Sequence, residues 1–375
     1  VLLAWIGLYT GDRGVRQIAL EVYLFRGRPV RPVWSLGQYM IYNLRHQVLF
    51  ILVPMVLILA ARDVIWIYRD RLRAISGHDF FPDVLLGLAA CAVAIIAPEI
   101  LRHIWSTRRL PDGPLRDRLE ALCRRLRLRY REILVWRAGG MIVNAAVMGV
   151  VAPLRYVLIT DGMLEQLDDT RIEAVFGHEA GHVKRHHVPF FLLFALISGC
   201  ILTIFSIHTR HLDPGSAQFQ LLASLLAVAL ALKWGLLFGW ISRRFERQSD
   251  IFGVRVLAWS GLPCSMPCAL HGGLPHDPPA ANPAHRLCST AAHVFGSTLN
   301  DVAVLNGIAP EARSWRHGSI SSRSRTLQRL ALDPAATARA ERSAGLIKAG
   351  ILVAAVVSSL WTARELGLGR LLGWG

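Results

Sequence analysis

Lysine is nearly absent from this chain. It occurs only at positions 184, 233 and 348 of 375 residues, so the formal charge of +16 is carried almost wholly by arginine. Acidic residues are sparse as well, 26 against 42 basic ones. No G-x-x-x-x-G-K-[ST] loop is present, which excludes a nucleotide-driven engine and a nucleotide partner. No reader motif for bases is present either, and the arginines flank apolar runs. The basic balance therefore points to anionic lipid headgroups and not to nucleic acid. A disulfide framework is also missing. Cys91 and Cys200 lie inside apolar runs, Cys123 lies in an arginine-rich helix, and Cys264, Cys268 and Cys288 sit in a Pro/His-rich loop near His271, His276, His285 and His293. A C-x3-C spacing without a matching second pair is read as thiols on a loop, not as a zinc site. There is no internal repeat and no long low-complexity tract.

What the chain has in quantity is apolar sequence, 53% of its residues. Several runs approach or reach the length that crosses a bilayer. The opening VLLAWIGLYT is read as the remnant of a first spanning helix, because no small-residue cleavage site follows it as in a signal sequence. A polar, arginine-bearing stretch at 11–47 precedes VLFILVPMVLILAA at 48–61, and VLLGLAACAVAIIAPEIL follows at 84–101. Residues 188–207 and 219–241 are full-length spans separated by a short turn. Residues 346–361 form a last apolar helix interrupted by Lys348, able to span or to lie against the others. The expected organisation is an N-terminal membrane region of two to three spans at 1–101, a polar block at 102–187, a transmembrane hairpin at 188–241, a second polar block at 242–343, and a C-terminal apolar helix at 344–375. Arginine in place of lysine, with abundant alanine, also points to a GC-rich bacterial genome.

Within the first polar block, RDRLEALCRRLRLRYREI spaces its apolar residues as an amphipathic surface helix does. EILVWRAGGMIVNAAVMGV and LRYVLIT are rich in β-branched and aromatic residues and predict a small sheet. TDGMLEQLDD predicts a turn and a short helix. A longer helix is expected from about 170 to 187, capped by Asp169 or Thr170, with Glu173 completing a capping box three residues after Thr170.

That helix holds VFGHEAGHVKRHH. His178 and His182 stand four residues apart and so share a helical face, where both imidazoles can reach one ion. Glu179 is turned about 100° around the axis and can reach a water on that ion without ligating it. Two nitrogen ligands, an open position and a neighbouring carboxylate base are the working parts of a zinc hydrolase. Gly177 and Gly181 would weaken a solvated helix, and make sense if another chain segment must come close. A histidine six residues beyond His182 would give the metzincin pattern, but that position is Val188. His186 and His187 are read as exposed or as groups that support the ligands from behind. The third ligand is assigned to Glu246 in SRRFERQSD. Both outer ends of a hairpin emerge on one membrane face, and His182 comes six residues before the hairpin and Glu246 five residues after it. Asp250, one turn after Glu246, is placed to hold a ligand histidine through its other ring nitrogen.

The segments NAAVMG, YVLITDGMLEQLDDTRIEAVFGHEAGHVKRHH, SRRFERQSDIFG and SWRHGSISSRSRTLQRL occur in that order. They resemble the gluzincin integral-membrane zinc metallopeptidases that include the HtpX heat-shock protease and the CAAX prenyl endopeptidase. The resemblance covers roughly 130–330. It implies a mainly α, multi-span membrane protein with a zincin-type metallopeptidase domain containing a small β-sheet, formed by the two polar blocks. It implies one zinc ion per chain on His178, His182 and Glu246, with Glu179 as general base. It further implies that Asn144 and Ala145 lie on an edge strand receiving the substrate as an added strand, that His317 steadies the oxyanion, and that Arg323 contributes to the substrate site. The family has proline after the position of His317, and this chain has Gly318.

The reading is a membrane-embedded zinc endopeptidase acting on membrane-associated or misfolded polypeptides in the cell (inner) membrane. HEAGH also occurs in ATP-driven membrane zinc proteases, which the missing nucleotide loop excludes. Site-two-type proteases bury the motif in mid-bilayer, where VKRHH is too polar. The competing reading from another class is a catalytically inactive membrane scaffold or regulator on the same fold. Arginine-rich flanks beside the motif, against a single Arg210 in the hairpin turn, place the site in the cytoplasm.

Overall fold

Backbone polar groups in an apolar run are best satisfied within a helix. The computed structural model follows that rule along most of its length. It describes residues 2–25, 27, 33–78, 81–140, 142–266, 268, 270 and 285–367, so the positions of His271 and His276 lie outside the described residues. Among these, five helices are long and apolar enough to cross a membrane. The chain divides into two compact units, residues 1–176 with 301–309, and residues 177–300 with 310–375.

The first unit opens with α1 (Leu2–Phe25), which carries Asp12, Arg13 and Arg16 and is not one of the five candidate spans. The candidate spans α2 (Leu36–Ile67) and α4 (Phe81–Ile104) flank a short α3 (Arg69–Ser76). Within the polar, arginine-bearing stretch at 11–47, helix α1 runs to Phe25 and α2 already begins at Leu36. Helix α2 starts at 36 because Ser35 and Gln38 form a reciprocal capping box there, and it runs through a π turn at Leu44–Leu49 into the apolar run. Trp5, Trp34 and Tyr39 pack together where α1 meets the start of α2, and the Tyr9 hydroxyl donates to the Trp34 carbonyl at 2.9 Å.

The β-branched segments form the expected sheet as β2 (Glu132–Trp136), β3 (Ala145–Met148) and β4 (Tyr156–Thr160), to which β1 (Thr107–Arg109), followed by helix α5 (Pro114–Arg125), adds a short strand that the sequence did not predict. The order is β1-β2-β4-β3. The central pair is parallel, with Glu132 opposite Tyr156, and β3 runs antiparallel to β4 at an edge, with Ala145 opposite Ile159. Helix α6 (Asp161–Gln166) follows, capped by the Thr160 hydroxyl.

Helix α7 (Asp169–Lys184) carries the histidine motif. Its cap is Asp168, whose Oδ1 accepts from the Arg171 N–H at 3.0 Å, and not Asp169 or Thr170. Glu173 does not complete a capping box. Its buried carboxylate accepts from Arg118, a charged partner that outweighs a local backbone bond. The helix also stops earlier than expected, because His186 takes a left-handed φ of 56° and separates α7 from the next helix.

In the second unit, α8 (His187–Thr209) and α9 (Ala217–Trp259) form the hairpin. Lys233 within α9 donates to the Phe194 carbonyl and the Ser198 hydroxyl, both at 2.7 Å, which is how a lysine is kept in an apolar helix pair. The loop after α9 leads to α10 (Ser289–Leu305), followed by α11 (Ile320–Leu332) and α12 (Pro334–Glu365). Helix α12 is a candidate span that also packs on the hairpin. Its Ile351 joins Phe194, Ile241 and Phe245 in one buried cluster.

The two motif glycines find their reason here. A Cβ on Gly177 would stand 3.0 Å from the Val256 Cβ and 3.2 Å from the Gly253 Cα. A Cβ on Gly181 would meet the Ser249 Cα at 3.1 Å and the Phe252 Cβ at 3.2 Å. Helix α7 therefore lies directly on α9, with glycine where the backbones approach. Gly181→Val is expected to destabilise the protein by roughly 1–3 kcal/mol through overpacking, and to loosen any metal held between the two helices. Thermal unfolding in detergent together with metal content checks this, and a variant unchanged in both would contradict it.

Candidate metal centre

With the helices in contact, the sequence-distant carboxylate reaches the motif. The Nε2 atoms of His178 and His182 stand 3.2 Å apart. Glu246 on α9 brings Oε2 to 3.5 Å from the His178 Nε2 and Oε1 to 3.5 Å from the His182 Nε2. Ligand atoms about 2.0–2.1 Å from a tetrahedral ion stand about 3.3 Å from one another, so these spacings fit one divalent cation. His178 and Glu246 are buried, and the Glu246 Oε2 has no hydrogen-bond partner among protein atoms. A buried carboxylate oxygen that makes no hydrogen bond, and has only the Arg323 Nη2 at 3.4 Å as a cationic neighbour, suits a bound cation.

The groups behind the two imidazoles set which ring nitrogen of each turns toward Glu246. Asp250 lies 3.0 Å from the His178 Nδ1, and is itself held by Arg323, whose Nε and Nη2 donate to its two oxygens at 3.0 and 2.6 Å. The nearby carboxylate charge favours a proton on the His178 Nδ1, although the pair does not meet hydrogen-bond geometry, and this leaves the Nε2 lone pair for a metal. His182 is set by a longer relay. Lys348 has only protons to give and donates to the Gln248 Oε1 at 2.7 Å. That oxygen also accepts from the His187 Nε2 at 2.9 Å. The His187 Nδ1 is thereby an acceptor, and it lies 3.0 Å from the His182 Nδ1. His182 donates through Nδ1, and its Nε2 is free to ligate. His187 is wholly buried and stacks on Phe245 with ring centroids 4.4 Å apart, whereas His186 is exposed.

Electrostatics follow from burial and these carboxylates. Burial alone would strip the proton from His178, but contact with Asp250 and Glu246 overrides it and raises the pKa to about 10. Burial, and then the charge on His178, push His182 down to about 3. Glu179 is driven up to about 7 by burial, opposed by His178 and reinforced by Glu246.

Two further expected residues gather here. His317 sets its Nδ1 3.0 Å from the Glu246 Oε1. Its loop closes by paired backbone bonds between Ser314 and Gly318, and is held to α9 by Trp315, whose carbonyl accepts from Arg243 and whose indole donates to the Gly235 carbonyl. Gly318 has φ +74°, which proline cannot adopt, so the turn after His317 requires a residue with left-handed freedom. Arg323 is aimed at Asp250, with Nη2 also 3.4 Å from the Glu246 Oε2, which places it behind the ligands. Asn144 and Ala145 belong to the other unit. There, the Asn144 carbonyl accepts from the Thr160 N–H and its side-chain oxygen from the Ala145 N–H, at the start of edge strand β3. Gln248 and Lys348 were not singled out from the sequence as site residues, although a lone lysine in an apolar run was a signal, since it demands a buried acceptor.

Comparison with known proteins gives the family. The pattern of Peptidase family M48 matches residues 110–298, half of the chain, and the chain belongs to that family. A protease HtpX homologue of Pyrobaculum calidifontis is 27% identical over 183 residues, covering 46% of this chain and 52% of that protein. Another from Tropheryma whipplei is 31% identical over 153 residues, covering 37% and 48%. The chain thus spans about half the length of the curated relatives it matches. The crystal structure of S. mikatae Ste24p superposes with a TM-score of 0.50 at 15% identity, covering 85% of this chain and 81% of that one, which shows a shared fold.

The relay behind His182 yields a prediction. His187→Phe preserves the stack on Phe245 but removes the acceptor for the His182 Nδ1. Metal affinity is expected to fall roughly 10–100-fold with the fold retained, as measured by titration against a metal buffer. Unchanged affinity would contradict the relay.

Proposed function

We propose that this chain is a membrane-embedded zinc endopeptidase that cleaves membrane-associated or misfolded polypeptides, with its site on the cytoplasmic side. The observation that carries this reading is the convergence of the His178 Nε2, the His182 Nε2 and the Glu246 carboxylate at tetrahedral spacing. His178, His182 and Glu246 would hold the zinc, whose Lewis acidity would acidify a water and polarise a peptide carbonyl.

The protein's own groups do the rest. Glu179, beside His178 on α7, takes a proton from the attacking water and returns it to the leaving amine nitrogen. A carboxyl raised to about 7 by burial is a stronger base than an ordinary one, which suits it to both transfers. His317 stands at the mouth of the site, partly exposed, where a ring N–H can donate to the developing oxyanion. Asp250 and Arg323 keep His178 oriented. Asn144 and Ala145 start an edge strand to which an extended substrate can add through main-chain hydrogen bonds. Arginines flanking the spans meet anionic headgroups.

Glu179→Gln is expected to retain metal and lose cleavage of an unfolded membrane protein by at least about a hundredfold, in line with the loss of a general base. Retained cleavage would remove the assignment, and an inactive wild type with full metal content would favour the scaffold reading. The pH profile gives a second check. The Glu179 carboxyl binds its proton at higher pH than an ordinary carboxyl, so kcat/KM should decline as pH falls, on a limb lying above the usual carboxylate range. A flat profile down to that range would contradict a raised Glu179.

A further inference from the structure

Three cysteines that the sequence leaves as loop thiols come together in space. The sulfurs of Cys264, Cys268 and Cys288 all lie within 4.8 Å of one another. The Cys264 and Cys288 sulfurs are 3.7 Å apart. Sulfurs on a tetrahedral zinc, each at about 2.3 Å, stand about 3.8 Å from one another. Cys268 and Cys288 are buried, while Cys264 is exposed and closes the cluster from outside.

Chance packing of small apolar side chains does not account for the surroundings. Cys288 immediately precedes helix α10, and its sulfur accepts from the Ala291 N–H at 3.4 Å. This is a backbone donor aimed at sulfur in the first turn, where the helix dipole also favours negative charge. The two sulfur-bearing segments are tied by Thr290, itself buried, whose hydroxyl accepts from the Ser265 N–H at 3.0 Å and the Met266 N–H at 3.2 Å. One side chain thus fixes the Cys264–Cys268 turn against the helix start that bears Cys288. A backbone donor to one sulfur and a hydrogen-bonded frame around three convergent thiols are what a soft d10 cation needs.

We propose that Cys264, Cys268 and Cys288 form a thiolate zinc site, separate from the His178, His182 and Glu246 centre. It clamps the chain leaving α9 to the start of α10. Phe295 on α10 packs on the Gly253 backbone and faces the His178 ring, with centroids 6.3 Å apart. The clamp therefore holds the helix that backs the motif histidine. Binding replaces the thiol protons, which are released to solvent as zinc–sulfur bonds form, with no change of oxidation state.

The test uses the purified full chain, kept reduced, with zinc measured per chain and cobalt substituted in parallel. Cobalt on thiolates gives an intense near-ultraviolet charge-transfer band that a site of two histidines and a glutamate cannot give. Wild type is expected to show that band. A Glu246→Ala/His182→Ala variant should keep it together with one equivalent of zinc, so failure of the peptidase reading and failure of this one remain distinct. Cys264→Ser, at the exposed position and so tolerated by the fold, should weaken zinc retention at this site at least tenfold and diminish the band. Thr290→Val should weaken retention without removing a ligand. The proposal is overturned if cobalt-substituted wild type lacks the band, if Cys264→Ser holds zinc as tightly as wild type, or if the metal-free protein as isolated contains a Cys264–Cys288 disulfide in place of thiols.

Discussion

The candidate centre depends on one close contact, the seating of α7 on α9 through Gly177 and Gly181. A side chain at either glycine would have to displace the backbone or a Cβ of α9. The consequence is chemical as well as steric. One turn of α7 places two imidazoles over the turn of α9 that carries Glu246 and Asp250, so that one carboxylate faces the ligand nitrogens and the other backs His178. Helices held farther apart by ordinary side chains would leave Glu246 short of the histidines. The cost of glycine within a helix, about 1 kcal/mol each, is accepted where it creates the site.

Buried charge is the second constraint, and it is met by pairing. Glu246 and Asp250 lie under Arg323, and each Asp250 oxygen accepts one of its N–H groups. Lys348, from the last helix, closes a relay through Gln248 and His187 to His182. Buried ions without partners are costly, and removal of one partner exposes the other to that cost. The same side chains that neutralise the charge also decide which ring nitrogen of each histidine points inward. Stability and ligand orientation are thus served by one network, drawn from α7, α8, α9, α11 and α12.

Much of this was legible in the sequence because its signals are periodic or local. The apolar runs marked the hairpin, β-branched clusters marked the sheet, and four-residue spacing marked the histidine pair. Glu246 followed from the geometry of a hairpin rather than from its neighbours. Signals that depend on tertiary partners were lost. Glu173 has a capping-box spacing, yet Arg118 claims it in the core. His187 looked like an extension of α7, but the left-handed turn at His186 starts a new helix and buries it. The cysteines at 264, 268 and 288 have no motif spacing, since their proximity joins the segment after α9 to the start of α10, a tertiary contact that spacing does not encode. Arg323, implied by resemblance as part of the substrate site, owes its place to Asp250, one turn beyond Glu246.

The central claim is that α9 returns a carboxylate to the two imidazoles so that all three hold one ion. Substituting Glu246 with alanine and measuring bound metal in the purified, folded protein tests it most directly. One equivalent of divalent metal should be lost relative to wild type under the same conditions. Full wild-type metal content, with unchanged affinity, would contradict it.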